Sequence, residues 1–390
     1  MRKHMENKFY WNEFLFSIYF FVFTLIKPIS ANFPQYAFTI LLFICIIVLI
    51  VWAFINGFKV DREKAIKAFI LFIIFAMLFL MSYIFMYNDF INVYAQGFLI
   101  YAIMPMILLL NVKNYEKIIL YWCRIGMVSG LTAFVDPFIE YKMFGDYMTF
   151  GYVGMLPVFA SFLLYSIYFK KYKWLIMDML VFIDIFVFAN KGAALTCIIL
   201  AIIAVCFFAV NRIQRIVAVL LSGGALFLSF FYSNKILLFF FKLLNSLNMT
   251  SYSLNTVEMM LNGKTDSILS LRTDIWKIVL EHIDNNIILG EGIGTFTSYY
   301  GTYPHNIFLD IADTFGIIAL VIFVYLTIKS IILIVKNNNE CLKYFAIFMF
   351  VLWLIPMLMS LTYWQYMPVW VYFIISYYIS RGKKIVEKNR

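Results

Sequence analysis

The chain has 390 residues, of which 64% are hydrophobic and 13% are charged, and its formal net charge is +10. A soluble domain is roughly half apolar and about a quarter charged, so this composition excludes an ordinary soluble protein and indicates a polytopic membrane protein. On a soluble protein this charge would suggest nucleic acid binding. Here the basic residues lie in short loops between apolar runs, and we expect no nucleic acid partner.

Apolar runs long enough to cross a bilayer recur along most of the chain. A spanning helix needs roughly 20 mostly apolar residues, and about twelve segments meet this criterion. No small-residue cleavage site follows the first segment, which we therefore interpret as a membrane helix and not as a signal peptide. The predicted spans are 13–31, 36–57, 66–87, 96–112, 117–135, 148–169, 174–189, 192–210, 215–233, 306–335, 341–360 and 367–380.

The charge of the loops predicts how the helices are oriented. Every second span runs into a short basic loop, such as "KVDREK" or "KNYEK", and both ends of the chain are basic. The positive-inside rule places these loops and both termini in the cytoplasm. We therefore expect a multi-pass protein of the cytoplasmic (inner) membrane, with the remaining loops on the extracytoplasmic side.

One predicted outer loop is much longer than the others and divides the chain into three regions. Residues 1–233 carry nine predicted transmembrane helices, residues 234–305 form the large extracytoplasmic loop, and residues 306–390 carry three helices and a basic cytoplasmic tail. The predicted fold class is an all-α membrane protein with about twelve transmembrane helices and one large extracytoplasmic loop that contains an amphipathic helix. The five cysteines have no CxxC spacing, which argues against disulfides and a zinc site.

The amphipathic helix is predicted within "DSILSLRTDIWKIVLEHIDNN", residues 266–286. Arg272 falls on its apolar face, one turn before Trp276. An interfacial helix with a snorkelling arginine would explain this position. We favour an anion site, because a guanidinium on a buried face is costly without a partner and its five fixed donors suit phosphate.

A second polar candidate lies in "FANKGAALTCIILA", residues 188–201. Lys191 stands at the outer end of one helix, and Gly192 begins the next with small residues. Asp184 precedes Lys191 by about two helical turns, so the two charges could pair inside the membrane. That structural role and a substrate-binding role both remain open.

A third candidate is the glycine-rich and aromatic stretch "GEGIGTFTSYYGTYPHN", residues 290–306. Its GxGxG spacing is not the dinucleotide-binding fingerprint, and no strand surrounds it. Gly290, Gly292 and Gly294 permit tight turns and close backbone approach. Aromatic rings such as Phe296 offer flat faces that suit sugars, although such rings are also common at the membrane interface.

A histidine and an asparagine close this stretch. His305 and Asn306 stand where the chain enters the long apolar segment "NIFLDIADTFGIIAL". A neutral imidazole can accept a hydroxyl proton near neutral pH, so we favour a working role for His305 over a role in the core.

Together these stretches resemble the O-antigen ligase and polymerase family. "ANKGAAL" is similar to the family's Ser-Arg-Gly motif, and "SLRTDIWKIVLEHIDNNIILGEGIGTF" to its segment of Arg, Trp, an Asn-Pro turn and Gly-x-Gly-x-Gly-Phe. "PHNIFLDIADTFGIIAL" resembles its His-Asn-x-x-Leu segment. The resemblance covers roughly residues 188–320. Lys191 replaces the family's Arg, so a point charge stands where a bidentate fork is usual. Asn286 replaces its Pro, and we expect that change to matter little.

The resemblance implies a metal-independent glycosyltransferase that needs no cofactor and moves a glycan from undecaprenyl pyrophosphate to an acceptor hydroxyl, with its active site on the extracytoplasmic face of the membrane. In that mechanism Arg272 and Lys191 hold the pyrophosphate and stabilise the leaving group, while His305 orients or deprotonates the hydroxyl. The residues expected to bind or shape the substrate are Trp276, Gly290, Gly292, Gly294, Phe296 and Asn306.

Three functions are compatible with these residues. The leading hypothesis is a repeat-unit polymerase that makes capsule or O-antigen-like polysaccharide. The second is a ligase that moves finished polymer onto a different acceptor. The third is a transporter or flippase of lipid-linked oligosaccharide, for which Asp310 and Asp313 could line a path. The expected partners are the undecaprenyl-pyrophosphate-linked oligosaccharide and the bilayer, with a flippase and a chain-length regulator as further candidates.

Overall fold

The structure is a computed structural model that describes residues 9–30, 37–139, 142–208, 242, 246 and 266–388, and within these ranges the protein contains helices and no strand. The first half of the chain forms α1 (Trp11–Phe20), α2 (Val22–Ser30), α3 (Ala37–Asn56), α4 (Arg62–Phe85), α5 (Phe90–Phe98), α6 (Met104–Leu110), α7 (Tyr115–Ala133), α8 (Tyr147–Thr149), α9 (Leu156–Tyr168), α10 (Leu175–Phe188) and α11 (Lys191–Phe208). The second half forms α12 (Asp266–Asn285), α13 (Thr295–Tyr300), α14 (Ile307–Val335), α15 (Glu340–Met359) and α16 (Met367–Lys388).

Seven helical stretches in the described part of the chain are long and apolar enough to cross a membrane. They cover residues 39–56, 62–85, 90–110, 115–139, 147–168, 307–335 and 340–359. This confirms an all-helical membrane protein, whereas the count of twelve spans stays a prediction. The predicted span 215–233 lies outside the described residues, as does most of the predicted loop between residues 234 and 265.

Two predicted spans differ in detail from the helices observed. The segment predicted over 13–31 is two short helices that meet at Phe21. The helix in the segment predicted over 174–189 is α10, which has 14 residues. At 1.5 Å per residue, α10 is about 21 Å long, shorter than the hydrocarbon layer of about 30 Å. Apolar composition therefore identified helical segments here but overestimated their continuous helical length, and their crossing of the membrane stays a prediction.

Contacts between loops define one end of the helix bundle, which we call the loop end. The Asn88 side chain donates from Nδ2 to the carbonyl of Ile293 at 2.9 Å. The hydroxyls of Tyr94 and Thr297 lie 2.8 Å apart, and Thr362 donates from Oγ1 to Asp310 Oδ2 at 3.3 Å. Residues 86–89, 286–306 and 360–366 therefore lie together.

The short basic loops meet at the opposite end of the bundle. Glu13 is buried there, and its Oε1 accepts the backbone N–H groups of Lys113 at 2.9 Å and Asn114 at 2.8 Å. Lys64 donates from Nζ to the carbonyl of Leu110 at 3.0 Å. Successive loops therefore lie at alternate ends of the bundle, as predicted for a chain that crosses the membrane repeatedly. The side of the membrane that each end faces stays a prediction.

The long helix α14 is interrupted at Gly316, which has φ 80° and ψ 175°. In an unbroken helix the Ile317 N–H would donate to the carbonyl of Asp313, four residues earlier. Here Ile317 N donates to the carbonyl of Ile287 at 2.8 Å, and the carbonyl of Asp313 accepts from Glu291 N at 2.7 Å. The break frees backbone groups that cannot be left unpaired in an apolar environment, and the loop after α12 satisfies them.

The same loop fits closely against the break because two glycines cross there. The carbonyl of Thr314, which an unbroken helix would also use, accepts from Gly292 N at 3.1 Å. A Cβ on Gly316 would lie 2.0 Å from the Ile288 carbonyl oxygen, and one on Gly290 would lie 2.5 Å from the Gly316 nitrogen. Only glycine permits this approach at both positions.

We predict that Gly316→Ala strongly destabilises the protein. At φ 80° any Cβ costs about 1–2 kcal/mol, and here it also collides with backbone that cannot move away alone. Gly301→Ala is the matched control, because Gly301 has φ 68° and open space around a Cβ. In thermal unfolding of the detergent-purified protein, Gly316→Ala should lower the melting temperature by several degrees more than Gly301→Ala. Equal shifts would mean that the close approach contributes nothing.

Candidate active site

The start of α11 brings the motif predicted within residues 188–201 against the turn before α9. Residues Phe150–Met155 form a π-helical segment, a distortion often found at functional sites. A Cβ on Gly192 would lie 2.0 Å from the Tyr152 hydroxyl, so that hydroxyl rests on the first turn of α11. Asn190 caps this turn by accepting the Ala193 N–H on Oδ1 at 2.8 Å. Lys191 lies between Asn190 and Gly192, at the loop end, and is exposed.

The helix predicted within residues 266–286 is confirmed as α12, and it carries Arg272 and Trp276. Both side chains are partly buried. The positive charge of Arg272 acts on Tyr152, on Tyr303 and on His305. Arg272 therefore links the start of α11 to the residues just before α14, although these segments are far apart in the sequence.

His305 lies in a strained turn between α13 and α14. Its φ of 56° is a left-handed conformation that residues other than glycine adopt uncommonly, although histidine adopts it more often than most. The Thr302 hydroxyl lies 3.2 Å from Nε2, and the Tyr303 ring lies 4.3 Å from the imidazole, centroid to centroid. Strain of this kind costs of order 1–3 kcal/mol and is concentrated at functional sites.

The surroundings of His305 keep its imidazole neutral. Burial lowers the pKa of His305 below its ordinary value, and the neighbouring Arg272 charge lowers it further. The backbone of Ser360 opposes these effects only in part. Burial also raises the pKa of Tyr303, so that phenol stays protonated near neutral pH. A neutral imidazole beside a permanent cation can accept a proton while the cation binds an anion.

Fourteen buried polar side-chain atoms have no hydrogen-bond partner in the described part of the chain, and each of the three predicted motifs contributes one of them. These three atoms are Asn190 Nδ2, Trp276 Nε1 and His305 Nδ1. Buried polar groups are nearly always paired in native proteins, so each exception needs an explanation. A polar ligand at this end of the bundle would satisfy such atoms.

The structure gives four of the predicted substrate-binding residues a packing or capping role. Gly290 crosses the break in α14, Gly294 lies against Asn88 and Phe90, and Phe296 is buried. Asn306 caps α14, accepting the Phe308 N–H on Oδ1 at 3.0 Å. These contacts leave their predicted substrate role untested.

Two further predicted features have visible local contacts. Gly292 lies beside Met86, and a Cβ there would contact that side chain at 3.4 Å. Asn286, which stands where the family has Pro, donates from Nδ2 to the Gly290 carbonyl at 2.8 Å. Its side chain therefore closes the turn that enters the break in α14, a role that our sequence analysis underestimated.

Sequence reasoning missed a buried pair between α12 and α14. His282 Nδ1 lies 2.5 Å from Asp313 Oδ1, and both side chains are buried. A carboxylate accepts hydrogen bonds, which assigns the proton of this contact to Nδ1. The imidazole also meets the rings of Phe296 and Tyr300 at 5.7 and 5.9 Å, centroid to centroid. The available signal was a histidine on the apolar face of an amphipathic helix.

The two carboxylates of α14 lie in its first two turns, before the break at Gly316. Asp313 is engaged by His282. Asp310 accepts from Thr362 at 3.3 Å and from Thr314 at 3.5 Å. Both carboxylates therefore belong to the polar cluster at the loop end and not to the middle of the bundle. In the described part of the chain, no three His, Cys, Asp or Glu side chains form a group that could hold a metal ion.

Comparison with known proteins supports the resemblance seen in the sequence. Residues 176–324 match a family model described as O-antigen ligase, and this segment contains Lys191, Arg272 and His305. No curated protein and no solved structure matches the chain.

The fold and the site define a class: a polytopic, all-helical membrane protein with a cationic and polar site at one end of its bundle. Its segment 176–324 matches the O-antigen ligase family, whose members are membrane enzymes of the glycosyltransferase type. The predicted resemblance is thereby confirmed over this segment.

We predict that His305 titrates below its ordinary pKa of 6.5 and that Arg272→Gln raises this pKa, because the variant removes a nearby positive charge. The fraction of neutral imidazole can be followed by the rate of diethylpyrocarbonate modification against pH, read at His305 by mass spectrometry. Lys277→Gln, on the exposed face of α12, is the control and should leave the profile unchanged. An unshifted profile in Arg272→Gln would contradict the electrostatic link.

A second prediction concerns His282. His282→Ala removes a buried hydrogen bond to a charged group and should lower the free energy of unfolding by about 2 kcal/mol. His282→Asn places an amide N–H near the position of Nδ1 and should recover part of that loss. Denaturant unfolding in detergent measures both. If the two variants are equally unstable, the packing of the ring dominates and the hydrogen bond to Asp313 does not.

Proposed function

We propose that the protein is a polysaccharide repeat-unit polymerase. It transfers glycan from undecaprenyl pyrophosphate to a sugar hydroxyl on the outer face of the cytoplasmic membrane, in the synthesis of capsule or O-antigen-like polysaccharide. The observation that carries this proposal is the convergence of three separate motifs around Arg272, which interacts with Tyr152 beside α11 and with His305 before α14.

The chemistry of the site fits a pyrophosphate leaving group. Arg272 is a permanent cation with a planar fork of donors, which suits two phosphate oxygens. Lys191 adds a second positive charge at the first turn of α11, where the helix dipole also favours an anion. Charge that develops on the departing pyrophosphate would be stabilised by these groups without a metal ion.

In the proposed reaction, His305 acts as the general base that accepts the proton of the acceptor hydroxyl. As the hydroxyl oxygen attacks the sugar carbon, its proton passes to the imidazole, and the bond between that carbon and the pyrophosphate oxygen breaks. A low pKa keeps the imidazole unprotonated and ready to accept, and Arg272 contributes to that low pKa. The side chain that binds the leaving group would therefore also prepare the base.

A ligase reaction is the second candidate, because the matching family model is described as O-antigen ligase. Ligase and polymerase share the donor and the leaving group and differ in the acceptor. The same roles of Arg272, Lys191 and His305 would serve both reactions.

A lipid-linked oligosaccharide transporter is the candidate of another class, and the site favours it less. Transporters bind substrate near the middle of the membrane. Asp310 and Asp313 instead lie before the break in α14, where Thr362, Thr314 and His282 engage them. A polar cluster at one end of the bundle suits chemistry on a substrate that arrives from one side.

The test is reconstitution of the purified protein in nanodiscs with undecaprenyl-pyrophosphate-linked repeat units from its own cell, without metal or ATP. A ladder of product lengths on a gel is the expected result. Transfer that requires a second lipid or wall acceptor would identify a ligase. Movement of labelled lipid across the bilayer without any new glycosidic bond would overturn the enzyme proposal.

Matched variants assign the residues in this assay. Arg272→Ala and His305→Gln should abolish the ladder, and Arg272→Lys should lose most of it, because a point charge cannot replace the fork. Lys191→Arg should retain activity if Lys191 binds phosphate. Lys277→Ala is the control on the same helix and should behave as the wild type, since its side chain is exposed.

A further inference from the structure

Three consecutive apolar side chains are exposed in the turn between α12 and α13. Ile287 is 47% exposed, Ile288 is 60% exposed and Leu289 is 75% exposed. We call these three residues the apolar tip. They belong to the loop that fills the break in α14, and their backbone is held firmly there. An exposed cluster of this kind on a rigid turn marks an interaction surface.

The backbone contacts of the tip fix its level along the bundle. The Ile287 carbonyl accepts the Ile317 N–H at 2.8 Å, and the Ile288 carbonyl oxygen lies against Gly316. From Ile317 onward α14 runs unbroken to Val335. At 1.5 Å per residue this part is about 28 Å long, close to the thickness of the hydrocarbon layer. The tip therefore lies at the boundary where the membrane-spanning part of α14 begins.

The surface of α14 next to the tip is the kind that faces lipid. Ile318 is 55% exposed and Val321 is 62% exposed, in the first turns after the break. A direct backbone hydrogen bond joins Ile287 of the tip to Ile317, the first residue after the break. The apolar tip therefore extends the lipid-facing surface of α14 onto the neighbouring loop.

We propose that the apolar tip inserts into the membrane at the boundary between head groups and acyl chains, in the leaflet at the loop end. The partner is the bilayer, because the tip is apolar, uncharged and level with the start of the span. Insertion would anchor the C-terminal end of α12, the helix that carries Arg272. This proposal does not depend on the enzymatic activity proposed above.

Photo-crosslinking in nanodiscs tests the insertion directly. The photoreactive residue benzoylphenylalanine replaces Leu289 in the full-length protein, and lipid adducts at that position are measured by mass spectrometry after illumination. Ile318→benzoylphenylalanine is the positive reference, on the span itself. Asp274→benzoylphenylalanine is the negative reference, since Asp274 is exposed on the polar face of α12. The expected result is a lipid-adduct yield at position 289 comparable with that at 318 and several-fold above that at 274.

Two outcomes would overturn the proposal. One is a lipid-adduct yield at 289 no higher than at 274. The other is crosslinking of position 289 to a second copy of the chain in place of lipid, which would make the tip a protein interface. Ile288→benzoylphenylalanine repeats the measurement at a neighbouring exposed position, so that a folding defect of one variant does not decide the answer. Because adducts form without turnover, the result is separate from the success or failure of the glycan assay.

Discussion

The structure depends on the way in which a loop repairs a broken helix. Gly316 interrupts α14, and backbone groups of Ile287, Glu291 and Gly292 pair with those that the break leaves free. In a membrane protein each such group would otherwise cost several kcal/mol. Because the loop must follow the path of these hydrogen bonds, it also sets where α12 ends and where α13 begins.

The arrangement of the polar cluster follows from that junction. The loop holds α12 against α14, and the buried contact of His282 with Asp313 joins the same two helices one turn away from it. Arg272, near the other end of α12, is thereby directed towards the start of α11 and towards His305. The loop that pairs with the break in α14 fixes α12 against α14. This arrangement brings Arg272 and His305 to the same end of the bundle as Lys191.

The sequence is informative about elements and much less so about contacts between them. Apolar length located the helices, and Asn306 stands before an apolar run, as a helix cap does. The three motifs were identifiable because residue types such as Arg, His and Gly are rare or costly in such settings. The pairing of His282 with Asp313 was not identifiable from the sequence. Hydrophobic periodicity assigns a residue to one face of a helix, but it does not say which other helix packs on that face.

The glycines after α12 also show that the sequence predicts a local property better than its packing partner. Their number and spacing predicted close backbone approach, and the structure shows such an approach at Gly290. At Gly290 the group approached is the interrupted helix α14, which the sequence did not predict. A glycine in the sequence shows that the backbone has no side chain at that position. Which segment packs against it is determined by the fold. Asn286 was underestimated for the same reason, because its partner is the turn that the break in α14 stabilises.

The left-handed backbone at His305 has a consequence for how this protein trades stability against activity. Glycine adopts its φ of 56° freely, whereas histidine adopts it at a cost in backbone strain. In the reaction proposed above, glycine at this position would relax the turn but remove the base, so the strain at His305 would be a cost of keeping an imidazole there.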